Sequence, residues 1–104
     1  MAKGMRIRAK VKDAITEVKV LINHPMETGQ RKDKKTGELV PAHFIEEIWC
    51  DYSGKTVLRA HWSGGVSKDP YLAFQFKGGA VGETATVAWR DNKGETDQLE
   101  VSIQ

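Results

Sequence analysis

The stretch Phe44-Ile45-Glu46-Glu47-Ile48-Trp49-Cys50-Asp51-Tyr52-Ser53-Gly54-Lys55-Thr56-Val57-Leu58-Arg59-Ala60-His61-Trp62 reads as two β-strands folded back on each other. Ser53-Gly54 is the turn between them, because glycine accepts the positive φ that two-residue hairpin loops need. Working outward, a period of two recurs in both directions and a helical period is nearly absent. Ile7, Ala9 and Val11 interleave with Arg6, Arg8 and Lys10, and Val18, Val20 and Ile22 with Glu17, Lys19 and Leu21. Leu72, Phe74 and Phe76 interleave with Ala73, Gln75 and Lys77. The runs at Ala85, Val87 and Trp89 and at Leu99, Val101 and Ile103 repeat the pattern, with Asp91-Asn92-Lys93-Gly94 as a second hairpin turn between them. Each run fits a strand with one buried and one wet face. The expected fold is all-β: an immunoglobulin-like antiparallel β-sandwich of about seven strands. With 104 residues the chain can build one modest core, so residues 1–104 are expected to form a single domain.

Composition narrows the function. Hydrophobic residues make up 39% and charged residues 29%, as in a soluble globular domain. No apolar run approaches the roughly 20 residues of a membrane helix, so no membrane insertion is expected. A formal charge of +2 gives no global support for binding nucleic acid. The single cysteine, Cys50, excludes an internal disulfide framework and the usual cysteine-based zinc site. Taken alone, that composition leans towards the cytosol. The N-terminus carries neither a long apolar stretch nor a twin-arginine pair, since Ile7 separates Arg6 from Arg8, so no export signal of its own is expected.

Enzyme motifs are missing. Gly54-Lys55-Thr56 looks like the end of a phosphate-binding loop, but Trp49 stands where the first glycine belongs. There is no nucleophile elbow and no His-Glu-x-x-His pair. His24, His43 and His61 lack ligand-like spacing, so neither a metal nor another cofactor is expected. Cys50 is either a nucleophile or a small buried hydrophobe. It alternates with Ile48 and Tyr52 and nothing nearby lowers a thiol pKa, which favours a structural thiol.

A two-residue loop at Ser53-Gly54 would set Cys50 opposite Val57 and Glu46 opposite His61. Phe44, Ile48, Cys50, Tyr52 and Val57 then share one face, and Ile45, Trp49, Leu58, Ala60 and Trp62 the other. A sandwich buries one face of each sheet, and this hairpin is apolar on both. The second face is either covered by a loop or terminus, or it docks another protein; Trp49, Leu58, Ala60 and Trp62 are the candidate contacts. Between Pro25 and Pro41 the chain is rich in Lys, Arg and Gly and reads as one long exposed loop, with Ser63 to Pro70 as a second. The basic series Lys3, Arg6, Arg8, Lys10 and Lys12 and the run Arg31-Lys32-Asp33-Lys34-Lys35 are either plain solvated faces or attract anions or an acidic partner.

The segment His24-Pro25-Met26-Glu27-Thr28-Gly29-Gln30-Arg31-Lys32-Asp33 closely resembles the signature of the SoxZ family, the small subunits of SoxYZ sulfur-carrier complexes. Cys50-x-Tyr52-x-Gly54-Lys55, Asp69-Pro70-Tyr71-Leu72-Ala73-Phe74 and Trp89-x-Asp91-x-x-Gly94 agree with it, in order, from about Arg6 to the C-terminus. The resemblance implies an all-β fold and a subunit that is not an enzyme alone. It implies a heterodimer with a SoxY-like subunit, whose C-terminal Gly-Gly-Cys-Gly-Gly arm carries the sulfur intermediates of thiosulfate oxidation, and passing contacts with the other enzymes of that system. It also implies a periplasmic location, reached on the partner's export signal, against the cytosolic leaning of the composition. The alternative is a generic β-sandwich binding module unrelated to sulfur oxidation. Pro25 biases His24 towards extended geometry, and Gly29 can redirect the chain. The loop start is therefore expected to be rigid, with Met26 packed on an apolar neighbour. His24, Pro25, Met26, Glu27, Thr28, Gly29, Arg31 and Lys32 either lie beside the partner's arm, where the cations would favour anionic sulfur groups, or simply close the sandwich.

Overall fold

The computed structural model describes residues 4–63 and 65–104; Lys3 of the basic series lies outside them. Seven strands follow in order: β1 (Met5–Lys12), β2 (Ile15–Ile22), β3 (Ile45–Tyr52), β4 (Lys55–His61), β5 (Tyr71–Lys77), β6 (Thr84–Asp91) and β7 (Thr96–Ser102). They form a three-stranded sheet, β1-β2-β5, and a four-stranded sheet, β4-β3-β6-β7, with every ladder antiparallel. No helix occurs among the described residues. This is the immunoglobulin-like sandwich that the alternation predicts.

The inward positions are those of the period-two pattern. Val18, Val20 and Ile22 from β2 meet Ile48 and Cys50 from β3 and Val87 from β6, all essentially inaccessible. The turns follow from local chemistry. Ser53 (φ 52°) and Gly54 (φ 78°) both take positive φ, as a two-residue hairpin turn demands. At the β6–β7 turn, Gly94 (φ 82°) closes a three-residue loop over which the Asp91 N–H donates to the Glu95 carbonyl at 2.9 Å. The β1–β2 turn, Asp13-Ala14, uses two positive-φ residues without a glycine, which hides it from a search for glycine turns.

Beyond Ser102 the chain touches both sheets: the Ile103 N–H still donates to the Glu83 carbonyl and its carbonyl accepts the Gly82 N–H, beside the start of β6. Ile103 bridges Ala9 of β1 in parallel, the Gln104 N–H donates to the Ala9 carbonyl, and the Val11 N–H donates to the Gln104 carbonyl. The last two residues thus stitch one sheet to the other, and Ile103 is 1% exposed.

Two irregularities correct the expected faces of the central hairpin. Past Asp51↔Thr56 the β3–β4 register slips, so Cys50 faces Leu58 and not Val57. Val57 is the extra residue of a β-bulge. The slip turns Leu58, Ala60 and Trp62 inward, where they pack on the core, and sends Arg59 and His61 outward. Without it Arg59 would point at the core opposite Ile48, and the charge would be buried unpaired. A second slip, between Ile45 and Glu47 on the β6 side, turns Ile45 into the core at 0% exposure. Trp49 alone of the four candidate contacts stays on the outer face, with the Arg59 guanidinium 5.6 Å from its ring centroid. Trp49, Leu58, Ala60 and Trp62 therefore do not form one surface. Likewise Glu46 does not meet His61: Glu46 binds Arg90, and Glu47 receives Arg59 at 2.7 Å with His61 at 3.9 Å.

Candidate functional site

The signature loop begins where β2 ends, and its first residues are pulled into one end of the sandwich. His24 is 3% exposed. Its N–H donates to Asp69 Oδ1 and its carbonyl accepts the Asp69 N–H, so the loop before β5 brackets it. Its ring is read by two neighbours. Nδ1 accepts the Met26 N–H at 3.1 Å, and Nε2 lies 3.1 Å from Asp91 Oδ2. Since Nδ1 accepts, the ring proton sits on Nε2 and is donated to Asp91. Met26, at φ 48°, is held in the left-handed region and 5% exposed, and its Sδ accepts the Ile45 N–H.

Asp91 sits at the end of β6 with its side chain fully buried. Oδ2 accepts from His24 and, at 2.8 Å, from His43 Nε2; Oδ1 accepts the N–H groups of Lys93 and Glu95. Four donors saturate the four lone-pair sites of a carboxylate. Burial pushes its pKa up, but the bonds from His24, His43 and the two backbone N–H groups outweigh it and hold Asp91 below the usual aspartate value. The imidazoles meet edge to face with centroids 4.5 Å apart, and Trp89 closes the inner side with its ring perpendicular to His24. Asn92 adds the outer tie: its N–H donates to the Phe44 carbonyl, and its side chain binds Phe44 N–H and the Ala42 carbonyl.

The ligand-type atoms of His24, His43 and Asp91 lie within 4.8 Å of one another, close enough to hold a metal ion. The tautomer of His24 argues otherwise. A neutral imidazole ligating through Nε2 carries its proton on Nδ1, where the Met26 N–H already points. The cluster fits a hydrogen-bonded clamp joining the signature loop, the chain before β3 and the β6–β7 turn. The expectation of three scattered histidines is thus corrected for two of them; His61 stays on the outer face of β4.

The rest of the signature loop folds on itself, which also corrects the expected plain exposed loop. Glu27 and His43 exchange backbone hydrogen bonds, Lys32 bridges Leu39, and the Asp33 N–H donates to the Glu38 carbonyl, giving an irregular two-stranded arm. Glu27 takes the Arg31 guanidinium through three contacts of 2.6–3.2 Å, and that pairing lowers its pKa. Gly29 has φ +86°, and an added Cβ would stand 3.2 Å from the Ala42 Cβ, so the glycine lets the two sides of the arm close. Thr28 Oγ1 accepts the Gln30 N–H; Pro25, Lys32, Lys34 and Lys35 are exposed. The signature thus divides into a buried part, His24 and Met26, and an exposed arm whose cations other than Arg31 crowd towards its tip.

Cys50 is 0% exposed, and burial, helped by the charge of Asp51, pushes its thiol up to about 11. It is a core residue with no thiolate at neutral pH. Sequence reasoning missed His43, Asp69 and Asp91 as partners of His24. Asp91 stands in a recognisable motif, but an aspartate opening a hairpin reads first as a turn residue.

The architecture and this site define the chain as a small immunoglobulin-like β-sandwich with one end clamped by a buried carboxylate and its lone thiol sealed in the core. The family model of the sulphur oxidation protein SoxZ matches residues 5–102, and the chain belongs to that family, whose members are subunits of the sulfur-oxidising Sox system. No curated protein matches the chain significantly. Among solved structures, the chain is similar to a superoxide reductase (neelaredoxin) from Archaeoglobus fulgidus, a single-site variant in its reduced form. That match has 22% identity and a TM-score of 0.59, covering 94% of this chain and 83% of that one. At that identity the likeness concerns the sandwich fold alone.

Proposed function

We propose that this chain is the non-catalytic subunit of a periplasmic sulfur-carrier complex in thiosulfate oxidation. It pairs with a SoxY-like subunit whose C-terminal cysteine arm holds the sulfur intermediates, and it reaches the periplasm on that partner's export signal. One observation carries this reading beyond the family match. Covalent sulfur carriage needs an accessible thiolate, and the only cysteine here is inaccessible with a thiol pKa of about 11. The reacting sulfur then belongs to the partner. The clamp supplies a rigid base for the signature arm, and the exposed Lys32, Lys34 and Lys35 are the groups available to an anionic arm; Arg31 is already engaged by Glu27.

Co-expression with a signal-bearing protein ending in Gly-Gly-Cys-Gly-Gly tests the reading. A stable pair recovered from the periplasm, and loss of export when the partner's signal is deleted, are the expected results. A chain that stays alone beside such a partner would overturn it. In the recovered pair, reversing Lys32, Lys34 and Lys35 to Glu should lower turnover and flatten its salt dependence while the pair persists.

A further inference from the structure

The outer face of the three-stranded sheet carries an uncompensated charge. The ladders β1–β2 and β2–β5 place Arg6, Arg8, Lys10 and Lys12 beside Lys19 and Lys77 on this one surface, and all six are exposed. Among the described residues Glu17 is the only acid on it, paired with Lys19 at 3.7 Å. Asp13 and Asp69 stand at its two ends. On the opposite sheet the outer arginines are matched: Arg59 binds Glu47, and Arg90 binds Glu46. With +2 for the whole chain, the positive excess is concentrated on β1-β2-β5 and the remainder is net negative. The face is also shaped. Arg6, Arg8 and Lys19 line a hollow of about 170 Å³ walled by Leu21 and Tyr71, which is 60% exposed. A second hollow, of about 190 Å³, shares Arg8 and Lys19 and adds Lys10 and Glu17.

We infer that this face is a docking surface for an acidic protein that visits the carrier complex, its Asp and Glu side chains seated in the two cationic hollows. The inference rests on the carrier-complex reading above. A permanent subunit interface is largely apolar and depleted of lysine, which this face is not. A dense cationic field with a few apolar anchors (Ile15, Leu21, Tyr71) suits a fast, salt-sensitive encounter. Leu21 and Tyr71, exposed among these cations, offer the apolar contact that a protein surface uses and a row of phosphates does not, which favours a protein over a nucleic acid or an anionic membrane.

The test uses the complex purified with its carrier subunit. Arg8→Glu, Lys10→Glu and Lys19→Glu are combined, with Lys55→Glu, Lys68→Glu and Lys93→Glu as an equal charge change elsewhere. The expected result is an intact pair whose turnover in the reconstituted thiosulfate-oxidising system falls about tenfold or more at low ionic strength and loses the part of its salt dependence that does not come from Lys32, Lys34 and Lys35, while the control keeps both. Poly-glutamate, phosphatidylglycerol vesicles and duplex DNA serve as probes; poly-glutamate should bind the unmodified complex and not the triple variant. Unchanged turnover at low salt, or tighter binding to vesicles or DNA than to poly-glutamate, overturns the inference. Loss of the carrier subunit from the triple variant alone would make this face the subunit interface and overturn it too. If the unmodified chain fails to pair at all, the function reading fails instead.

Discussion

Asp91→Asn strikes the clamp with the least change of shape. The amide keeps one acceptor oxygen, which can still take the Lys93 and Glu95 N–H groups. Its NH2 then faces the Nε2 atoms of His24 and His43. His43 can move its proton and present a bare nitrogen. His24 cannot, because Met26 N–H occupies Nδ1, so a buried donor is left facing a donor. Hydrogen bonds to a charged group contribute about 1.5–3 kcal/mol, and an unpaired buried donor costs about 1–3. The expected loss is about 3–5 kcal/mol, which for a domain of this size lowers Tm by roughly 12–30 °C. Urea unfolding followed by tryptophan fluorescence measures it, with Trp89 reporting beside the site. The acid limb adds a second readout. Because the folded-state pKa of Asp91 lies below its unfolded value, its stabilisation is complete above the ordinary aspartate range. It is lost as pH falls through the folded value, below about pH 4. The variant should lack that part of the wild-type acid transition. A variant within about 0.5 kcal/mol of wild type would refute the reasoning. So would nitrogen NMR showing the His24 ring protonated on Nδ1 at neutral pH.

Cys50 should resist thiol reagents at pH 8 in the folded protein and react at once in denaturant; Cys50→Ala should cost about 1–2 kcal/mol and leave sulfur transfer intact. Rapid labelling of the native chain would show the thiol to be accessible. Trp62→Ala should destabilise by about 2–4 kcal/mol because Trp62 packs on the core, whereas Trp49→Ala should cost about 1 kcal/mol or less. Equal losses in denaturant titrations would contradict the bulged register.

Strands and most turns were legible because side-chain alternation is a one-dimensional signal. The β3–β4 register was not, since a hairpin turn alone sets pairing only until the first bulge. The trace of the slip lay in Arg59: an unbulged register sets its guanidinium opposite Ile48, on the face that packs into the core. The His-Pro-Met-Glu segment was legible as a motif and as a resemblance, but its physical purpose was not. His24 and Asp91 stand 67 residues apart, and only the packed sheets bring them within a hydrogen bond. Glycine at position 29 and methionine at position 26 make sense once their backbone angles and neighbours are known.

The tail that crosses from β7 to β1 has a mechanical consequence. Ile103 and Gln104 run parallel to β1, so tension applied through the two ends of the chain drags these segments past each other in opposite directions. The bonds at Ala9 and Val11 are then loaded in shear and must give way together, where a peeled hairpin would release them one at a time. Rupture under load tracks an activation barrier and not the equilibrium stability. The two bonds that join Gln104 to Ala9 and Val11 therefore resist the pull as a pair, together with the buried Ile103 beside them.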